Sequence, residues 1–186
     1  MMPAYPLVLA SAVADGAALT NSIAAASILH GSGIGAIPAN ALQVGSQLRI
    51  AIRGRVSTVV TTPGTLTFDL RMGGVVISAF GAMALNVNAQ TNATFDALFM
   101  AVVRAVGSAT GANALCTGAF VTRAVIGSAA VGVGSPGELL LPDTAPAVGT
   151  GFDSSVAQAL NVFATWSVAS VSNSIQVHQS LIEFKV

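Results

Sequence analysis

The sequence predicts an all-β chain: an antiparallel β-sandwich, jelly-roll-like, behind an extended N-terminal arm. Three observations lead there. Apolar and polar residues alternate with a period of two over several separate stretches, as the two faces of a half-buried strand require. Turn signals rich in Gly, Pro, Asn and Ser punctuate those stretches. Val, Thr, Ile and Phe carry the stretches themselves, and almost no segment holds a convincing helical stripe.

Residues 1–20 lack strand periodicity and contain Pro3, Pro6 and the turn signal Asp15-Gly16. They read as an extended arm, expected to lie on a neighbouring protein rather than in its own core. Residues 21–186 read as a single β-sandwich domain, the default at this length. Residues 22–29 are the first strand of that domain, closed by the glycine-rich run from His30 to Gly35. In 48–59, Leu48, Ile50, Ile52, Gly54 and Val56 fall on one face, and Arg49, Ala51, Arg53, Arg55 and Ser57 on the other. Thr61-Thr62-Pro63-Gly64 is a turn, since Pro presets φ at its first central position and Gly admits positive φ at the second. Residues 65–72 alternate without error, and Gly73-Gly74 turns the chain into 75–80.

Residues 94–106 fit two periods. Phe95, Leu98, Phe99, Val102 and Val106 match a helical stripe, whereas Phe95, Ala97, Phe99, Ala101 and Val103 serve a sheet. Strands on both sides decide for strand. A further strand covers 113–125 around Cys116 and Phe120. Residues 127–153 then form a loop with an apolar island at Glu138-Leu139-Leu140-Leu141-Pro142. Loops beyond ~12–15 residues usually bind something or cross between sheets. Residues 159–169 and 174–186 close the chain, with Trp166 sharing a face with Leu160, Val162, Ala164 and Val168.

Charge is scarce. The chain has seven basic and seven acidic side chains, a net charge of zero, and 53% apolar residues. Folded alone it would expose roughly 8,000 Å², about one charge per ~600 Å², where ordinary domains carry ~25% charged residues. Such a surface is expected to be covered by protein: copies of the chain, trimer preferred over dimer, or a larger lattice. No apolar run reaches the ~20 residues of a membrane-spanning helix. One Trp and one Tyr make no aromatic girdles for a membrane barrel. The opening lacks the basic region of a signal peptide. Arg49, Arg53 and Arg55 are too thin a footprint for nucleic acid.

The residues that carry chemistry are few and scattered, so no catalytic role, metal or cofactor is expected. His30 and His178 are the only imidazoles, and the single Cys116 excludes an intrachain disulfide and a multi-cysteine metal site. A Ser180, His178 and Asp153 set has the residue types of a triad but not its defining geometry. Asp69, Asp96, Glu138, Asp143, Asp153 and Glu183 include no close pair for glycoside hydrolysis. Gly132-Val133-Gly134-Ser135-Pro136-Gly137 and Gly31-Ser32-Gly33-Ile34-Gly35-Ala36 match dinucleotide fingerprints in letter only, because prolines break the helix each would need. Asn92-Ala93-Thr94 is a glycosylation triplet, meaningful only in a secreted eukaryotic chain.

Several segments together resemble small virion proteins of tailed bacteriophages. They are Ala14-Asp15-Gly16-Ala17-Ala18-Leu19-Thr20-Asn21-Ser22, Gln43-Val44-Gly45-Ser46-Gln47-Leu48-Arg49-Ile50, Gly54-Arg55-Val56-Ser57-Thr58, Pro63-Gly64-Thr65-Leu66-Thr67, Trp166-Ser167-Val168 and Asn173-Ser174-Ile175-Gln176-Val177-His178-Gln179. The resemblance implies a β-sandwich capsid decoration, or cement, protein made in the bacterial cytoplasm. It would sit on the phage head and bridge major capsid protein subunits, with no nucleic acid or membrane partner. Pro3, Tyr5, Pro6 and Leu7 in the arm and Leu139, Leu140 and Leu141 in the loop island are the expected assembly contacts. A receptor- or carbohydrate-binding module of a tail or fibre is the alternative, since jelly rolls also serve lectins.

Overall fold

The computed structural model describes residues 6–59, 61–122, 137–142, 145 and 147–186. Among the described residues, twelve strands form two antiparallel sheets. They are β1 (Leu7–Ser11), β2 (Leu19–Thr20), β3 (Ala26–Ser27), β4 (Gly35–Ile37), β5 (Gln47–Thr58), β6 (Thr65–Met72), β7 (Val75–Ala84), β8 (Gln90–Ala105), β9 (Asn113–Thr122), β10 (Glu138–Leu141), β11 (Gln158–Trp166) and β12 (Ser174–Lys185). The larger sheet runs β1-β12-β5-β8-β9-β10, with β2 also on β12. The smaller runs β3-β11-β6-β7, with β4 also on β11.

Within this order lies a jelly roll. The first strand pairs with the last (β1-β12-β5-β8), and the facing sheet repeats the pattern with the strands between (β4-β11-β6-β7), two interlocked Greek keys. Strands β9 and β10 are additions. They extend the large sheet past β8 before the chain crosses back to β11.

The alternation read from the sequence places the core. In β5 Leu48, Ile50, Ile52 and Val56 are buried; in β8 Phe95, Ala97, Phe99, Ala101 and Val103; in β11 Leu160, Val162, Ala164 and Trp166. Residues 94–105 are thus strand, the greater part of β8, and Val106 follows it. Phenylalanines join the two sheets. Phe68 of β6 meets Phe99 at 5.6 Å edge-on and Phe120 at 5.4 Å, and Phe80 of β7 stacks on Phe99 at 4.9 Å. Gly54 keeps β5 close to β12, because a Cβ there would overlap the Gln176 carbonyl and the Phe95 ring. Gly64 takes φ of +74°, as the Pro63-Gly64 turn requires.

Three expectations are corrected. The described part of the arm, residues 6–20, is extended but does not leave the body. β1 and β2 pair with β12, Ala12 N–H donates to the Ser180 carbonyl, and the Trp166 indole donates to Leu19 O at 3.1 Å. An edge strand of its own sheet satisfies those backbone groups without a neighbour. The apolar island at 138–141 is a strand, paired residue for residue with β9. Of the first strand expected at 22–29, only Ala26–Ser27 pairs as β3; residues 22–25 lie outside any strand.

One buried polar residue knits the connections together. The Asn173 amide donates to Pro63 O at 3.2 Å and Val168 O at 3.1 Å, and its carbonyl oxygen accepts from Val59 N–H at 2.9 Å. It therefore ties the segments after β5, before β6, after β11 and before β12. Asn173→Ala would leave these buried groups unpaired. We expect it to lower unfolding free energy by about 3 kcal/mol, measured by urea denaturation, with the far-ultraviolet β signal retained.

Candidate functional site

Because neighbouring residues of an antiparallel pair point to the same side, strand register specifies the outer face of the large sheet. Leu181 of β12 faces Ala51 of β5, Ala51 faces Leu98 of β8, Leu98 faces Ala119 of β9, and Ala119 faces Leu140 of β10. Five strands thus contribute one straight, wholly apolar row across the sheet. None of the five is buried, and Leu140 is 68% exposed.

Rows of mixed character flank it. On one side lie Val8, Glu183, Arg49, Met100 and Thr117; on the other Gln179, Arg53, Asp96, Val121 and Glu138. Arg49 pairs with Glu183 and Arg53 with Asp96, each at 2.7 Å. Such exposed pairs contribute ~0–1 kcal/mol to stability. What they do here is neutralise the face locally. An apolar centre with a polar, charge-paired border is the anatomy of a protein contact, and exposed Met100, Val121 and Val148 enlarge the apolar area.

Of the expected contact residues, Pro3 and Tyr5 lie outside the described residues. Pro6 is exposed, and Leu7 is exposed at the sheet edge. Leu140 belongs to the outer row, but Leu139 and Leu141 are corrected. They point to the opposite side of β10, Leu139 packed against the core and Leu141 only 3% exposed. Pairing of 138–141 with β9 forces that alternation.

The candidate catalytic residues do not converge. His178 sits at a bulge in β12 and its Nδ1 meets Asp15 at 3.0 Å. Ser180 is buried, its Oγ packed against Gly33 with no hydrogen-bond partner. Asp153 accepts instead from the Ser155 hydroxyl and backbone N–H, and the Ser155 hydroxyl, foremost, holds its carboxyl below the usual range. His30 caps a short 3-10 turn at Gly31–Gly33, where its Nδ1 accepts from Ser32 N–H. The glycine pattern at 31–36 therefore opens a turn and strand β4 rather than a helix; the one at 132–137 lies outside the described residues except for Gly137. Among the described residues, no three His, Cys, Asp or Glu gather as a metal site would require, and no helix is long and apolar enough to cross a membrane.

A second feature is a cleft of about 500 Å³ at one end of the sandwich, with both polar and apolar walls. Ser57, Thr58, Gln90, Asn92, Ser172 and Ser174 are among its walls, and the Thr58 hydroxyl is buried without a partner. The aromatic side chains are committed elsewhere. Trp166 is fully buried, Phe163 is capped by Arg71 at 3.9 Å, and the other described phenylalanines are in the core.

No protein-family model matches the chain, and no curated protein matches it. Among solved structures it is similar to the CBM2 module of the evolved Dit of Lactobacillus casei BL23 phage J-1. The two are 15% identical over 82% of this chain and 68% of that one, with a TM-score of 0.33. At that level of overlap, the chain's own residues have to identify the site.

Burial raises the Cys116 thiol to about 12 from 9.0, a rise the Ser78 hydrogen bond only partly offsets. The native state keeps the proton that the unfolded chain releases from about pH 9. Its contribution to stability is therefore intact below pH 9 and is lost as pH climbs toward 12. We expect native protein at pH 8 to resist a thiol reagent such as dithionitrobenzoate and to titrate one thiol in urea.

Proposed function

We propose that this chain is a non-catalytic subunit of a bacteriophage particle that acts by burying surface against other proteins, and that it decorates the capsid by bridging major capsid protein subunits. The observation that carries the reading is the five-residue apolar row on the outer face of the large sheet. A free monomer gains nothing from exposing it, whereas a protein partner removes it from water at about 25 cal/mol per Å². Scarcity of charge supports the same reading, and so does the resemblance of the quoted segments to small phage virion proteins. On a lattice, many identical weak contacts add through multivalency.

A second reading is a receptor- or carbohydrate-binding module of a tail or fibre, which the cleft beside Ser57 and Asn92 favours. Amide and hydroxyl groups there suit a neutral polyol. Against it, the described aromatic rings are packed inside the fold, except Phe163, whose ring is covered by Arg71.

Particles that lack the protein test the two readings. Decoration predicts heads that assemble but rupture at lower temperature or salt, with adsorption to cells unchanged. Leu140→Asp should weaken rebinding to such heads at least tenfold, since a carboxylate would have to be desolvated at the protein contact, whether with capsid protein or with a second copy bound to the head alongside it. Heads of normal stability together with lost adsorption would overturn decoration in favour of the binding module.

A further inference from the structure

The occupant of the outer face follows from its area, its charge and its shape. We infer that two copies of this chain meet there, large sheet on large sheet, about a two-fold axis; the inference rests on the reading of that face as a protein contact.

The area suits such a pair. Strands β12, β5, β8 and β9 at ~4.8 Å spacing, each roughly ten residues at ~3.3 Å rise, with short β10 beside them, present roughly 700 Å². A stable interface takes ~800 Å² from each partner, about a tenth of a small protein's surface, and this chain exposes 8860 Å² in all. Without β9 and β10 the face would lose Ala119, Val121 and Leu140 and fall well short.

Charge points the same way. Arg49 and Arg53 flank the row but are already matched by Glu183 and Asp96 on neighbouring strands. At the centre of the face a strongly basic or acidic partner would find little net charge to answer, whereas a second copy makes no such demand; Arg55, one row further out, donates to Asn92 O at the border. Glu138 lies on the short outermost strand β10, where the border of a contact stays wet.

The row is also straight and crosses the strands. A two-fold axis in the plane between two such faces lays row upon row, and the small twist offset of aligned sheet packing, about −30° at ~10 Å, lets the side chains interdigitate. Leu98, on the middle strand of the five, falls nearest its own copy. An isologous contact of this kind closes at two, so the inference replaces the trimer expected from composition with a dimer.

The test uses the full chain. Sedimentation at micromolar concentration should give twice 18.5 kDa. Leu98→Asp, and independently Met100→Lys, should give monomers with an unchanged β spectrum and at least tenfold weaker self-association. Leu98→Cys should form a disulfide-linked dimer under mild oxidation, while Val171→Cys, exposed on the connection between β11 and β12, should not. A trimer without the Leu98→Cys cross-link overturns the inference. So does a wild-type monomer whose rebinding to protein-deficient heads is abolished by Leu98→Asp; in that case the face still contacts protein, but the particle's. If Leu98→Asp changes neither self-association nor rebinding, both the dimer and the protein-contact reading fall.

Discussion

Everything else in the fold is arranged around the contact of Phe68 with Phe99 and Phe120 between the two sheets. It sets the sheets at packing distance, and Phe80 and Phe95 extend it along β7 and β8. Each aromatic pair is worth about 0.5–1.5 kcal/mol beyond the area it buries. Because most of the rings join the sheets, the outer face of the large sheet carries aliphatic, polar and paired charged residues instead. That division decides what the exterior can do. It can pack against protein, but it has little with which to grip a sugar ring.

Where period-two alternation was strong, the sequence was enough. β5, β6, β11 and β12 lie where Leu48, Phe68, Trp166 and Ile182 with their alternate neighbours placed them, to within three residues at any end. The Pro63-Gly64 turn was legible because Pro and Gly each impose one dihedral. β3 was overextended because Ala24 and Ala25 suit a strand and a loop equally. The island at 138–141 read as loop because four residues are too few to show a period, and only its register with β9 makes it a strand.

The candidate site was half legible. Low charge is the signal in the sequence for a covered surface, and Leu140 is legible there as an exposed apolar residue, but its row neighbours Leu181, Ala51, Leu98 and Ala119 come from four other strands and meet only through register. One signal was present in residues 94–106. Their apparent helical stripe arose because Leu98 and Val102 outside, like Phe95 and Phe99 inside, are apolar. A strand with apolar residues on both faces imitates a helix over that stretch.

The additional strands β9 and β10 connect the fold to the proposed function. A bare jelly roll would end the large sheet at β8; the extension widens its outer face and completes the apolar row, while Phe120 on the other side joins the aromatic core. The central claim is that this face is covered by protein in the assembled state. Hydroxyl-radical footprinting of Met100 in free protein, diluted until it no longer self-associates, and in intact particles tests it most directly. The account predicts strong protection of Met100 in the particle. Equal oxidation of Met100 in both states, with protection confined to the cleft around Ser57 and Asn92, would contradict it.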